Sequence, residues 1–428
     1  MRRGADNHRV SKRVVMSLLA AVSVAGVAAP ASGASGATTT TCNLVASPSG
    51  SDSAAGTVSA PFQTAQKLVS SLTPGERGCL EAGTYNENVT FRTAGTAAYP
   101  ITLTSYPGET ATIVGRIYVV DGANYTTVTG LDLDGVNPSR LPSPTIDASR
   151  VTFSYDDVTN DHTGICFGIG SAGWGWATGT LITHDRIHDC GQLPATNYQH
   201  GVYIAAATDT TIEWNLIYGN ADRGVQLYPD AQHTTIDHNI IDDNGEGIII
   251  SGADGYASSY TNVYDNIISD ASVRHDVESY WPAGNPVGVG NAVHDNCVWG
   301  GAQGTIDTSG GGFTAYDNVT ADPKYVDATA HDYELSSVSP CLAAVGDVQA
   351  AVDGNATVQP PASTPPLYSV GTTAPPTTTV PAKKPRPTRK TILRRRKRVA
   401  HAAKHHRRRR KAKHSKKPPK AKAKTRRR

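Results

Sequence analysis

Between residues 128 and 320 a six-residue pattern returns eight times: an apolar residue, two others, a turn residue, and a second apolar residue two places later. It reads VTGLDL, FSYDDV, ITHDRI, IEWNLI, IDHNII, VYDNII, VHDNCV and AYDNVT. The turn slots are Leu131, Asp156, Asp185, Asn215, Asn239, Asn266, Asn296 and Asn318, separated by 25, 29, 30, 24, 27, 30 and 22 residues. A repeat of that length predicts a solenoid. Short runs alternating with period two, rich in Val, Ile and Thr, make its unit a coil of strands rather than a helix pair. Stacked coils lie about 4.8 Å apart, so equivalent positions form columns along the long axis. A buried amide in the turn column can donate to one neighbouring coil and accept from the next, which leaves no polar group stranded. These asparagines are therefore expected to be structural.

A solenoid of strands exposes unpaired backbone at its ends and needs caps. Phe62, Ala65, Leu68 and Leu72 in PFQTAQKLVSSL mark one face of a short helix suited to cover the first coil. Near the other end DPKYVDATAHDYELSSVSPCLAAVGD breaks the repeat and is expected to close the last coil.

Composition supports elongated, turn-rich β structure: 41 glycines, 26 prolines and 18% charged residues in 428. Residues 1–37 read as a signal peptide, with Arg2, Arg3, Arg9, Lys12 and Arg13 ahead of an apolar run from Val14 to Ala29 and small residues up to Ala37. That run falls short of the about 20 residues of a membrane span. The reading is an extracellular or cell-wall-associated protein after Sec-type export, not a transmembrane one. Six cysteines in an exported chain, none in a Cys-x-x-Cys pair, favour disulfides over metal sites. They allow fifteen pairings. Sequence neighbourhood suggests Cys42 with Cys79, Cys166 with Cys190 and Cys297 with Cys341.

Charge divides the chain. Residues 38–382 hold 10 Lys and Arg against 36 acids, whereas residues 383–428 hold 25 Lys and Arg and no acid. The basic block is expected to be a disordered, solvated tail behind a stiff Pro- and Thr-rich linker at 356–382. A flexible polycation suits an anionic envelope polymer or an acidic polysaccharide. No aromatic platform or reading motif accompanies it, so specific nucleic-acid recognition is not expected.

The opening SPSGSDSAAGTVSAPFQTAQ, then PGERGCLEAGTYNENVTF and YPITLTSYPGE, with the ending DPKYVDATAHDYELSSVSP, resembles the extracellular right-handed parallel β-helix proteins of the pectate-lyase-like superfamily. The resemblance implies an all-β, right-handed parallel β-helix of about eight or more coils over 42–353, with a short N-terminal capping helix. It also implies that GICFGI, GVYIAA, GVQLYP, GIIISG and DVESYW lie in the family's first sheet, where glycans usually bind. Lyases, glycoside hydrolases, epimerases and non-catalytic surface proteins share this fold, so the activity stays open. The chain has no lysine between Lys67 and Lys324, which argues against a lysine base, and it lacks the tandem-aspartate and Asp-Pro-His-Asp motifs of related families. IDHN around Asp237 and His238 falls on the turn column and reads as structural. Related lyases use calcium, which makes Ca2+ a further candidate, although no acidic cluster here has a recognised loop spacing.

Aligning those strands puts His200, Arg223, Glu246 and His275 in one column at the strand starts, as candidate catalytic residues. Further in lies a second column of Cys166, Tyr203, Gln226, Ile249 and Glu278, and beyond it Tyr228, Ser251 and Tyr280. For β-elimination at a uronate, Arg223 would neutralise the carboxylate, His200 or His275 would take the proton, and Tyr203 or Tyr228 would return one. For hydrolysis the available carboxylates are Glu246 with Asp276 or Glu278. Tyr203, Gln226, Tyr228, Glu278 and Tyr198 are the candidate substrate-binding residues. Trp174, Trp176 and Tyr198 would offer a sugar-stacking platform or pack a loop onto the solenoid. The long loop CGQLPATNYQH, pinned if Cys166 and Cys190 pair, draws attention to His200. Two functions follow: a secreted enzyme cleaving or modifying an acidic polysaccharide, or a non-catalytic glycan-binding or structural surface protein held by its basic tail.

Overall fold

The computed structural model describes residues 41–346, 348 and 349. The expected signal peptide, linker and basic tail lie outside the described residues. Three parallel sheets of eleven, nine and ten strands wind as a solenoid. The eight repeats each begin in one of eight successive strands of the eleven-stranded sheet, from Thr126–Thr129 to Phe313–Tyr316, and pass through the turn slot into the ten-stranded sheet. Leu44–Ala46, Arg77–Leu80 and Ile101–Ser105 precede them in the same sheet. The period-two alternation sends Val128, Phe153, Ile182, Ile212, Ile236, Val263 and Val293 into the interior, all fully buried. The ten-stranded sheet adds Val158, Ile187, Ile217, Ile241, Ile268 and Val298. At about 25 cal/mol per Å² of apolar surface removed from water, these columns are the main stabilising contribution.

The turn column behaves as its chemistry demands. Asn215 Nδ2 donates to Ile182 O in the preceding coil (3.0 Å) and to Asn239 Oδ1 in the next (2.9 Å), and Asn239, Asn266 and Asn296 repeat the arrangement. A second ladder, between the ten- and nine-stranded sheets, was not anticipated from the sequence. There Asn220 Nδ2 donates to Ile187 O and to Asn244 Oδ1 (2.8 Å), and Asn220 Oδ1 accepts from Cys190 N. Its signature is a second asparagine five residues after the first, at Asn215/Asn220 and Asn239/Asn244.

The helix Ala65–Ser71 forms over the first coil, N-capped by Thr64 Oγ1 on Lys67 N, with Phe62, Ala65, Leu68 and Leu72 buried. The other end differs from expectation. The antiparallel pair Tyr325–Asp327 and Asp332–Leu335, with the turn of helix Leu342–Val345, does not close the last coil but folds back as a strap over the outer face of the ten-stranded sheet. The reason is that Leu216, Ile240, Ile267 and Cys297 point outward there, and Tyr333, Leu335, Cys341 and Val345 bury them. The disulfides are Cys42–Cys79, Cys166–Cys190 and Cys297–Cys341.

Candidate functional site

The nine-stranded sheet carries Val202–Thr208, Arg223–Gln232, Glu246–Ser251 and Val277–Tyr280 side by side. Its register pairs Arg223 with Glu246, Tyr203 with Gln226, Gln226 with Ile249, and Ile249 with Glu278. The two columns read from the sequence are therefore neighbours in space, with one correction. Gly168, not Cys166, stands opposite Tyr203, and Cys166 is buried in its disulfide.

The first column is not an open strip. Each of His200, Arg223 and Glu246 is followed by a glycine whose missing side chain faces the interior (Gly201, Gly224, Gly247), so their own side chains turn outward, beside Tyr203, Gln226 and Glu278, and are buried there under the loop that carries Asn197. They are only 2%, 4% and 1% exposed. The Arg223 guanidinium donates to Glu246 Oε2 (2.7 Å), Gln226 Oε1 (3.2 Å), Asn197 O (3.1 Å) and Asn197 Oδ1 (2.6 Å). The long loop is held in place by the Asp222 carboxylate, which accepts from Asn197 N, Tyr198 N, Gln199 N and Thr196 Oγ1. Burial and the neighbouring Arg223 push the His200 imidazole well below its usual range, and its Nδ1 has no partner. In this arrangement His200 and Arg223 do not reach a polymer on the sheet, and Arg223 is spent on Glu246.

His275, at the same column position one coil on, is half-buried, and its Nδ1 lies 2.8 Å from Glu278 Oε2. Arg274 Nη1 donates to Glu278 Oε1 (3.0 Å). Asp307 is brought alongside because its amide and that of Val277 extend the sheet through Val277 O and Thr305 O. Sequence reasoning missed Arg274, which lies outside the strand alignment, and Asp307, which follows the irregular segment after Gly300. Behind this group burial, against the pull of Arg223 and with the charge of the facing Glu278, pushes the Glu246 carboxyl up to about 8. Glu246 thus sits between the Arg223 guanidinium and an oriented imidazole–carboxylate pair.

Two proposed carboxylate partnerships change accordingly. Asp276 is fully buried and uses its oxygens on Ala271 N and Gly301 N. Glu246 Oε2 accepts from Arg223, and both Glu278 oxygens are engaged by Arg274 and His275, so this pair is tied into the sheet's own hydrogen bonds. Of the aromatic candidates, Tyr198 is 77% exposed at the loop tip and Tyr280 is 59% exposed on the strand. Tyr203 stacks on Tyr228 at 6.5 Å between centroids, and burial pushes its phenol up to about 12. Trp174 is exposed on the turn Ser171–Gly175, and Trp176 is half-buried beside it. His238 stacks on Trp214 at 4.2 Å and bonds Asp237, a structural position as expected.

His275, Glu278 and Asp307 each offer a ligand atom, all within 4.8 Å of one another. Calcium takes six to eight oxygens. Here two carboxylates and an imidazole are available, and both Glu278 oxygens already bond Arg274 and His275. The group does not fit calcium.

Residues 119–320 match the family described as the right handed beta helix region. A pectate lyase of Emericella nidulans is 26% identical over 258 residues, 57% of this chain and 51% of the relative. The chain thus spans about half the length of the curated relative it matches. A crystal structure of a pectate lyase superposes with a TM-score of 0.52 and 12% identity, over 70% of this chain and 91% of that one. A rhamnogalacturonan lyase structure aligns with a TM-score of 0.44 and 13% identity, over 69% and 95%. The architecture shared with the pectate lyase structure is the parallel β-solenoid described above.

Proposed function

Given that this chain is a right-handed parallel β-helix protein of pectate-lyase-like architecture, we propose that it cleaves a uronate-containing polysaccharide by β-elimination on the outer face of the nine-stranded sheet. The observation that carries the reading is the half-buried His275, oriented through Nδ1 by Glu278 and flanked by Arg274. A histidine fixed at one nitrogen by a carboxylate presents the other as a general base. Its Nε2 would take the proton at C5, Arg274 would turn from Glu278 to the uronate carboxylate, and the C4–O bond would break. The exposed Tyr280 phenol would protonate the leaving oxygen. The 26% identity to a pectate lyase supports the same class of substrate. Three disulfides fit an oxidising, extracellular setting, and among the described residues no helix is long and apolar enough to cross a membrane.

The burial of His200, Arg223 and Glu246 favours a second reading, a glycan-binding rod without catalysis, held to an anionic polymer by the basic block at 383–428. One experiment separates them. The full-length protein is incubated with a panel of acidic and neutral polysaccharides, and unsaturated uronates are followed by their ultraviolet absorbance while reducing ends are counted. Product from the wild type that falls about 100-fold or more in His275→Gln, at unchanged melting temperature, supports elimination at this site. Reducing ends without the absorbance overturn it in favour of hydrolysis. Retention on a polymer without product supports the rod.

A further inference from the structure

On the opposite side of the solenoid, the residue just before each turn-column slot adopts the left-handed conformation, with φ 58° at Tyr155, 58° at His184, 56° at Trp214 and 53° at His238. Their rings stack from coil to coil: Tyr155–His184 at 4.7 Å, His184–Trp214 at 6.3 Å and Trp214–His238 at 4.2 Å between centroids. One coil earlier the equivalent position is Gly130, with φ +67° and only Thr104 Oγ1 near its missing side chain. The stack therefore stops at Tyr155, a residue 56% exposed. Above it lies a recess of about 340 Å³ lined by Gly130, Thr110, Asp132, Asp157 and Arg186.

We propose that this recess is a sugar subsite, separate from the nine-stranded sheet, in which one neutral pyranose unit of a glycan stacks on the Tyr155 ring in the place a side chain at Gly130 would fill. Coils are about 4.8 Å apart, so the missing side chain leaves a gap one ring thick. A pyranose presents an apolar C–H face to the phenol ring and a rim of hydroxyls at its edge. Asp132 and Asp157 accept from such hydroxyls, and Arg186, which also bonds Tyr218, donates to them. Asp132 and Asp157, the second also bonded to His188 Nε2 at 2.9 Å, stand against the Arg186 guanidinium, and two carboxylates at the rim disfavour a uronate. Desolvation, together with the charge of Asp157, pushes the Asp132 carboxyl up, which marks a spot already poor in room for another anion. The subsite goes beyond the proposed elimination: it would hold an uncharged stretch or branch of the polymer, remote from His275.

The test is calorimetric titration of the full-length protein with cellohexaose, xylohexaose and galactohexaose, with trigalacturonate as the charged comparison, each up to about 10 mM, where a millimolar site is well filled. Binding of at least one neutral hexaose, weakened about tenfold or lost in both Tyr155→Ala and Gly130→Tyr, is the expected result. Gly130→Tyr keeps the test independent of folding, because the same left-handed slot already carries Tyr155, His184 and Trp214, and an added ring continues the stack. Its melting temperature should match or exceed the wild type. Absence of binding by all three neutral hexaoses overturns the proposal, as does unchanged binding in Gly130→Tyr or tighter binding of trigalacturonate at this position. Failure of His275→Gln to alter polymer cleavage would leave these titrations untouched, so the two readings fail separately.

Discussion

At the scale of single residues, the turn column shows how one atom decides a protonation state. Asp156 and Asp185 occupy slots that asparagine fills in the later coils, and their Oδ1 atoms accept from Leu131 N and Asp156 N as an amide oxygen would. Their Oδ2 atoms, where asparagine places a donor, are buried and unpartnered. Burial pushes both carboxyls well above their usual range, so the fold holds them as neutral acids. A carboxyl whose folded-state value is raised favours the fold fully only below its unfolded value of about 4, and that contribution is lost as pH rises through the folded one. Asp185→Asn is therefore expected to stabilise the protein at neutral pH by about 1 to 3 kcal/mol, read as a higher melting temperature at pH 7 and a smaller gain at pH 4. The converse, Asn239→Asp, should lower it. The turn column was legible in the sequence because buried amides must pair and a fixed period displays that need. The burial of His200, Arg223 and Glu246 was not, because an alignment supplies strand order but not the loop that lies over it.

At the scale of elements, the capping helix was legible because one apolar face must be covered. The strap was misjudged because its partners, Leu216, Ile240 and Ile267, are spaced by whole coils and look like interior residues of their own strands. Its docking carries a pH dependence. Asp242 lies beneath it, accepting from Ser269 Oγ at 2.5 Å and bonded to Tyr333, while Ser269 Oγ also meets the Tyr325 hydroxyl at 2.9 Å. Burial pushes this carboxyl up to about 7, with Asp270 and Asp243 adding repulsion. The folded value lies above the unfolded one, so strap docking is strongest below about pH 4 and loses a few kcal/mol at most as pH rises to about 7. Amide protection of residues 325–335, corrected for intrinsic exchange, should fall between pH 5 and 8, and Asp242→Asn should remove the slope. A slope that survives the substitution would place the titrating group elsewhere.

At the scale of the whole molecule, charge sets residues 38–382 apart from the basic block at 383–428. The 36 acids against 10 bases of residues 38–382 repel an acidic polymer, and the 25 bases of residues 383–428 attract one. Removing residues 383–428 should abolish retention on an anionic polymer column at low salt, and retention of the full chain should fall steeply as salt rises. Activity on short oligosaccharides should not change. Equal retention of both chains would assign the affinity to the folded part. The strap has a further meaning at this scale. In a solenoid each coil touches only its neighbours, so a bare end frays one coil at a time. The strap spans Leu216–Tyr218, Ile240–Asp242, Ile267–Ser269 and Cys297–Trp299 and is tied by Cys297–Cys341. Those four coils therefore open together or not at all, and a protease in the surrounding medium meets a cooperative block where a ragged end would otherwise be.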